Sequence, residues 1–275
     1  MKQFRIDFNE TCWMDCYIHE SYEWDVNGRV NKEHPAIIVF PGGGYLSISC
    51  SEAEPVAISF LQEGFSTFVL NYSCDDKCLW PQALHEILWS IWQVRSNAKE
   101  WAINPDAIAV MGFSAGGGMA AIASTQWNTE GVDKILGAPD LESLKPNAAV
   151  LGYGDFDATK LITSGFLTPD AYGKAPAEGD VHFDPVKFIG KHTPPVFIWH
   201  GRQDDAVPSY ITMDFVRRLV DFDISYELHM FDFAGHGMSV FNRTTDSDNY
   251  DMRKFRNVSK WTRMASNWLM NTFGY

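Results

Sequence analysis

Short apolar runs alternating with helix-like stretches set the tightest limit on how this chain folds. The runs cover 36–40, 67–72, 108–112, 148–153, 196–200 and 226–231. Most are too short for helices and too continuously apolar for strands with one wet face. Strands buried on both faces read this way, and they occur in parallel sheets covered by helices on each side. Residues 4–19 add one or two strands, placed antiparallel at the sheet edge. Between the runs the spacing turns helical. After Pro81, apolar residues recur at Leu84, Ile87, Leu88, Ile91, Val94 and Ala98, which predicts a helix with one buried face. A second helix is expected from near Ala115. A last one is expected over 258–272, with Trp261, Met264, Ala265 and Trp268 on one side. The expected architecture is α/β, with helices on both faces of a mostly parallel sheet.

No internal repeat or linker divides the chain, so one domain over 1–275 is expected. A hydrophobic share of 45%, with 10 Trp and 19 Phe, supplies a single large core. Residues 155–193 lack periodicity and are expected to form a lid or rim insertion. Residues 242–257 are strongly polar.

The most informative motif is Gly112-Phe113-Ser114-Ala115-Gly116. It follows a strand-like run and precedes a helix-like stretch. In that setting G-x-S-x-G is a sharp strand-to-helix turn, with the serine hydroxyl raised above the sheet edge. As an isolated pattern it also fits a glycine-rich turn with an incidental serine. A serine hydroxyl is a weak nucleophile at neutral pH, so it needs a base within reach and an acid to orient that base. Both are present in the chain order this fold uses, Ser then Asp then His. Asp204 and Asp205 lie in the loop after the 196–200 run, where a carboxylate serves the carboxyl edge of the sheet. An Asp there can equally bond its own turn. His236 lies between Gly235 and Gly237, beyond the last run, on backbone free to point into a cleft.

Pro41-Gly42-Gly43-Gly44-Tyr45 ends an early strand. Its glycines allow close backbone approach, so its N–H groups can hold an oxyanion together with the N–H of Ala115. A phosphate loop is the competing use, but neither G-K-[ST] nor G-x-G-x-x-G is present there. Tyr45 and Phe113 lie beside the expected cleft, where an aromatic face can meet a sugar. Core or rim packing is the commoner use of such residues.

These segments resemble α/β-hydrolase esterases, in particular acetyl-xylan esterases and bacterial hormone-sensitive-lipase-like enzymes. The matching pieces are 41–45 (PGGGY), 103–117 (INPDAIAVMGFSAGG), 193–208 (TPPVFIWHGRQDDAVP) and 227–237 (ELHMFDFAGHG). The resemblance implies the α/β-hydrolase fold with an eight-stranded sheet. It implies Ser114 as nucleophile, Asp204 rather than Asp205 as acid, His236 as base, and Gly43, Gly44 and Ala115 as oxyanion donors. Two departures stand out. Pro41 stands where many relatives have His, and Gly118 stands where many carry His after the last glycine of GFSAGG.

The implied activity is hydrolysis of short acyl esters, acetyl foremost, including those of xylo-oligosaccharides, with no metal or organic cofactor. An amidase of the arylformamidase type would use the same three residues. A peptidase of the prolyl-oligopeptidase type would need a large N-terminal domain. A binding protein on this fold would have no use for the three residues together.

A formal net charge of −13 disfavours nucleic acid and anionic membranes and suits a small neutral substrate. The N-terminus lacks the marks of a secretion signal, and no apolar stretch reaches the roughly 18–20 residues that span a bilayer. A cytoplasmic location and imported oligosaccharides are the matching expectations, and a homo-oligomer is compatible with them. The five cysteines suit reduced thiols. Two C-x3-C pairs could form a zinc site, but Cys12–Cys16 lies in a strand-like stretch rather than a tight turn.

Overall fold

The structure, a computed structural model, describes residues 1–20, 33–158, 180–242, 245 and 256–275. All six apolar runs form strands. They are β3 (His34–Phe40), β4 (Ser66–Asn71), β5 (Ile103–Phe113), β6 (Ala148–Gly152), β7 (Val196–Gly201) and β8 (Tyr226–Phe231). Two more, β1 (Lys2–Asp7) and β2 (Trp13–Ile18), occupy the 4–19 segment as an antiparallel pair. The eight strands form one sheet in the order β1-β2-β4-β3-β5-β6-β7-β8. β2 pairs antiparallel with β4, and every pair from β4 to β8 is parallel.

One boundary differs from the sequence reading. β5 begins at Ile103, five residues before the apolar run at 108–112. Ile103 pairs with His34, and the ladder then shifts to Ala36 opposite Ile108. The Asn104–Asp106 stretch is therefore a break within the strand, consistent with a proline that cannot donate to a ladder.

Side-chain alternation divides the core between the two faces. Ile38, Phe40 and Val110 point to one side, against α2 (Gln82–Ser96), α3 (Ala115–Gln126) and α5 (Tyr210–Asp221). Ile37, Val39 and Met111 point to the other, against α1 (Glu54–Leu61) and α6 (Trp261–Phe273). A five-residue helix, α4 (Val132–Leu136), follows α3. The helices expected after Pro81, from Ala115 and near the C-terminus are thus α2, α3 and α6. A short 3₁₀ turn at Val258–Lys260 leads into the last.

Trp261 shows how packing sets up the site. It is fully buried, stacks on Trp199 at 5.0 Å and meets Phe60 and Phe113 at 5.7 and 5.6 Å. Its Nε1–H donates to Ser239 O at 2.8 Å, three residues beyond His236. Trp261→Ala is expected to cost about 3–5 kcal/mol through cavity formation. Urea unfolding checks this, and a loss under about 1 kcal/mol would contradict it.

The expected lid, 155–193, lies partly outside the described residues. Its described end forms 3₁₀ turns at Val181–Phe183 and Pro185–Phe188. Most of 242–257 also lies outside them.

Candidate active site

The turn from β5 into α3 leaves no room for side chains at its glycines. A Cβ on Gly112 would collide with Gly116 O, and one on Gly116 with Phe40 O and Pro41 O. Between them Ser114 takes φ 52° and ψ −124°, a conformation that L-residues rarely adopt. Three backbone bonds hold it: Ser114 N to Gly152 O at 3.2 Å, Asp155 N to Ser114 O at 3.0 Å, and Gly118 N to Ser114 O at 3.1 Å. The residue is half-buried.

The structure brings Ser114, His236 and Asp204 together. Ser114 Oγ lies 2.8 Å from His236 Nε2, across 122 residues of sequence. His236 Nδ1 lies 2.8 Å from Asp204 Oδ2. A nitrogen facing a carboxylate carries the hydrogen, so Nδ1 donates to Asp204 and Nε2 accepts from the serine.

The structure also separates the two aspartates. Asp205 is exposed, whereas the Asp204 side chain is fully buried. Asp204 both closes its own turn and holds the histidine. Its Oδ1 accepts from Ala206 N at 2.9 Å and Val207 N at 2.7 Å, while Oδ2 faces His236. The buried His200 adds a second ring: its Nε2 lies 3.2 Å from Asp204 Oδ2 and 2.9 Å from Val207 O. Thr212 Oγ1 lies 2.7 Å from His200 Nδ1, so the hydroxyl donates there and the hydrogen sits on Nε2, bonded to Val207 O and close beside the carboxylate. Burial alone would push the Asp204 carboxyl up. The hydrogen bonds from His200 and His236, the charge of His236 and the Val207 N–H outweigh it and hold the group well below the usual carboxylate range.

The glycine loop lies against this centre. Gly43 and Gly44 have φ 131° and 65°, and a side chain on Gly43 would collide with Ser47 O. Gly43 O accepts from Leu46 N and Ser47 N, which closes the turn. Among the described residues no hydrogen bond takes up the N–H of Gly43 or Gly44. Ala115 opens α3, where a helix presents free N–H groups and its positive end.

Tyr45 and Phe113 are both buried, at 1% and 0% exposure, so neither offers a face to a ligand. Phe113 packs on Tyr153 and Trp261. Tyr45 meets Phe183 edge-on, and its hydroxyl lies 2.5 Å from where a Cβ on Gly118 would stand. With Asp155 O at the same distance, that contact leaves no room for a side chain at position 118.

Sequence reasoning passed over Glu52, Tyr153 and the part played by His200. Glu52 follows Ser49 in S-x-x-E spacing, which ordinarily marks an exposed helix cap. Here it is 3% exposed, with its carboxylate turned inward.

A sheet of this order, with a strained serine between β5 and α3 and an Asp–His pair after β7 and β8, defines the α/β-hydrolase fold. The chain belongs to the BD-FAE family, whose model matches residues 26–219. Among curated relatives it is 28% identical to endo-1,4-beta-xylanase B of Butyrivibrio fibrisolvens, over 75% of this chain and 33% of that protein. It is 28% identical to esterase LipQ of Mycobacterium tuberculosis, over 69% and 47% of the two. It is 29% identical to an acetylxylan esterase of Xylanibacter ruminicola, over 65% and 35%. The chain thus spans between a third and a half of these relatives' lengths. Among solved structures, a sugar hydrolase (YeeB) from Lactococcus lactis superposes with a TM-score of 0.80 at 28% identity, covering 99% of both chains. An acetyl ester-xyloside bifunctional hydrolase from Caldicellulosiruptor lactoaceticus gives 0.74 at 28% identity, covering 96% of this chain and 88% of that one. Among the described residues no helix is long and apolar enough to cross a membrane.

Proposed function

We propose that this protein is a serine esterase that removes short acyl groups, acetyl foremost, from small neutral esters such as acetylated xylo-oligosaccharides. The observation that carries this reading is the unbroken relay from Ser114 Oγ through His236 to Asp204, with both links at 2.8 Å. In the proposed cycle His236 Nε2 takes the proton of Ser114 as Oγ attacks the ester carbonyl. Asp204 holds the ring and stabilises its positive form. The N–H groups of Gly43, Gly44 and Ala115 receive the oxyanion. The protonated His236 gives its proton to the departing alcohol oxygen, leaving an acyl group on Ser114. Water, deprotonated by His236, then attacks the acyl carbonyl; the acyl–Oγ bond breaks, His236 returns the proton to Ser114 Oγ, and the acid leaves. Each step uses side chains and backbone of this chain.

The substrate class draws support from the named activities of the acetylxylan esterase and the bifunctional acetyl ester-xyloside hydrolase. The net charge of −13 supports a neutral ligand over an anionic one. A panel of p-nitrophenyl esters of rising acyl length, run beside acetylated xylo-oligosaccharides and a formyl-aromatic amide, tests the reading. The expected order of kcat/KM is acetyl above butyryl above octanoyl, with acetate released from the oligosaccharides. Preference for the formyl amide by about tenfold or more, a gap of about 1.4 kcal/mol in transition-state binding, would favour the amidase instead.

A further inference from the structure

Behind the glycine loop lies a buried carboxylate that the proposed cycle does not use. Glu52 Oε2 accepts from Gly42 N at 2.8 Å, and Oε1 accepts from Tyr153 OH at 2.7 Å. Tyr153 is fully buried at the end of β6, and its oxygen in turn accepts from Ser239 N at 2.8 Å. Ser239 Oγ donates to Ser51 O at 2.6 Å, beside Glu52. One carboxylate thus ties together the loop that follows β3, the end of β6 and the segment that carries His236. The Tyr153 ring also meets the imidazole of His236 edge-on at 5.1 Å.

The directions of these bonds require an acceptor at both Glu52 oxygens. Gly42 N–H can only donate. The Tyr153 hydroxyl must donate if its oxygen is to be satisfied by Ser239 N–H. Ionised Glu52 meets every demand. Burial pushes its carboxyl above the ordinary range, and the Tyr153 hydroxyl, the Gly42 N–H and the charge of His236 offset only part of that rise. Space is equally constrained. A Cβ on Gly42 would stand 2.5 Å from Glu52 Oε2 and 2.9 Å from Ser114 Cβ, so Gly42 is held between the carboxylate and the nucleophile's own side chain.

We propose that Glu52 is a positioning residue that, through Gly42 and the Tyr153–Ser239 link, holds the glycine loop and His236 in register with Ser114. This rests on the esterase reading of Ser114. Displacing donors or base by a fraction of an ångström lowers the rate of the chemical step more than it weakens substrate binding.

The test compares wild type with Glu52→Gln, Tyr153→Phe and the double variant on p-nitrophenyl acetate. Glutamine keeps the shape but offers only one acceptor oxygen. Phenylalanine keeps the ring but breaks both hydroxyl contacts, so it reports on the link even if the glutamine variant folds poorly. The expected result is a fall in kcat on the order of 10–100-fold for each single variant, with KM within about twofold. The double variant should be little worse than the more impaired single one, because both cut the same chain of contacts. Unchanged kcat in a folded Glu52→Gln or Tyr153→Phe protein would overturn the proposal, as would a loss confined to KM. Ser114→Ala run alongside keeps the two readings apart. If it stays active the esterase reading fails, and if it is dead while Glu52→Gln matches wild type only the positioning role fails.

Discussion

Ser114→Ala is expected to lower kcat for p-nitrophenyl acetate by a factor on the order of 10⁴–10⁶ while leaving the fold intact. The oxygen removed is the atom that His236 Nε2 approaches to 2.8 Å. No other hydroxyl in the described hydrogen-bond network lies against His236. What remains after its loss is oxyanion binding and positioning, which alone give a small residual rate. Stability should change little or rise. The serine sits at φ 52°, and its backbone contacts to Gly152, Asp155 and Gly118 do not involve the hydroxyl. Steady-state kinetics with a thermal melt check both halves. A loss of less than about tenfold would mean that another group carries the reaction.

Asp204→Asn is expected to lower kcat on the order of 10⁴-fold, although it changes a single atom. An amide cannot satisfy the surroundings of Asp204 in either orientation. If its oxygen faces Ala206 N and Val207 N, its NH₂ faces His236 Nδ1 and drives the ring hydrogen to Nε2, where it blocks proton uptake from Ser114. The same NH₂ then opposes the N–H of His200. If the amide is reversed, the NH₂ confronts two backbone donors. The variant should also be less stable at neutral pH. Because the folded carboxyl is held below its ordinary value, the stability it contributes is complete above about pH 4 and is lost only as pH falls towards the folded value. A difference in melting temperature that closed between about pH 7 and 5 would contradict this sign.

Much of this was legible in the sequence because burial on both faces leaves an unmistakable mark. The 36–40 run is apolar throughout and the 196–200 run is apolar as far as Trp199, since alternate residues enter two different cores, and both are strands. Ser114 could be read for a related reason: only a turn without room at Gly112 and Gly116 needs that spacing. The choice of Asp204 over Asp205 was not legible from local pattern, because both fit the same turn and only burial separates them. Glu52 was hidden more deeply. Its partner Tyr153 is 101 residues away, and no spacing rule connects a helix-cap acid to a strand-end tyrosine. Tyr45 and Phe113 look accessible as letters in a glycine-rich motif, yet packing against Phe183, Tyr153 and Trp261 takes up their faces.

The central claim is that one hydroxyl, activated by one imidazole, carries the chemistry. The most direct measurement is to treat the protein with a fluorophosphonate and map the adduct by peptide mass spectrometry. The account predicts stoichiometric modification of Ser114, rapid in wild type and slowed in His236→Ala. An adduct on another residue, or none on a folded protein, would contradict it.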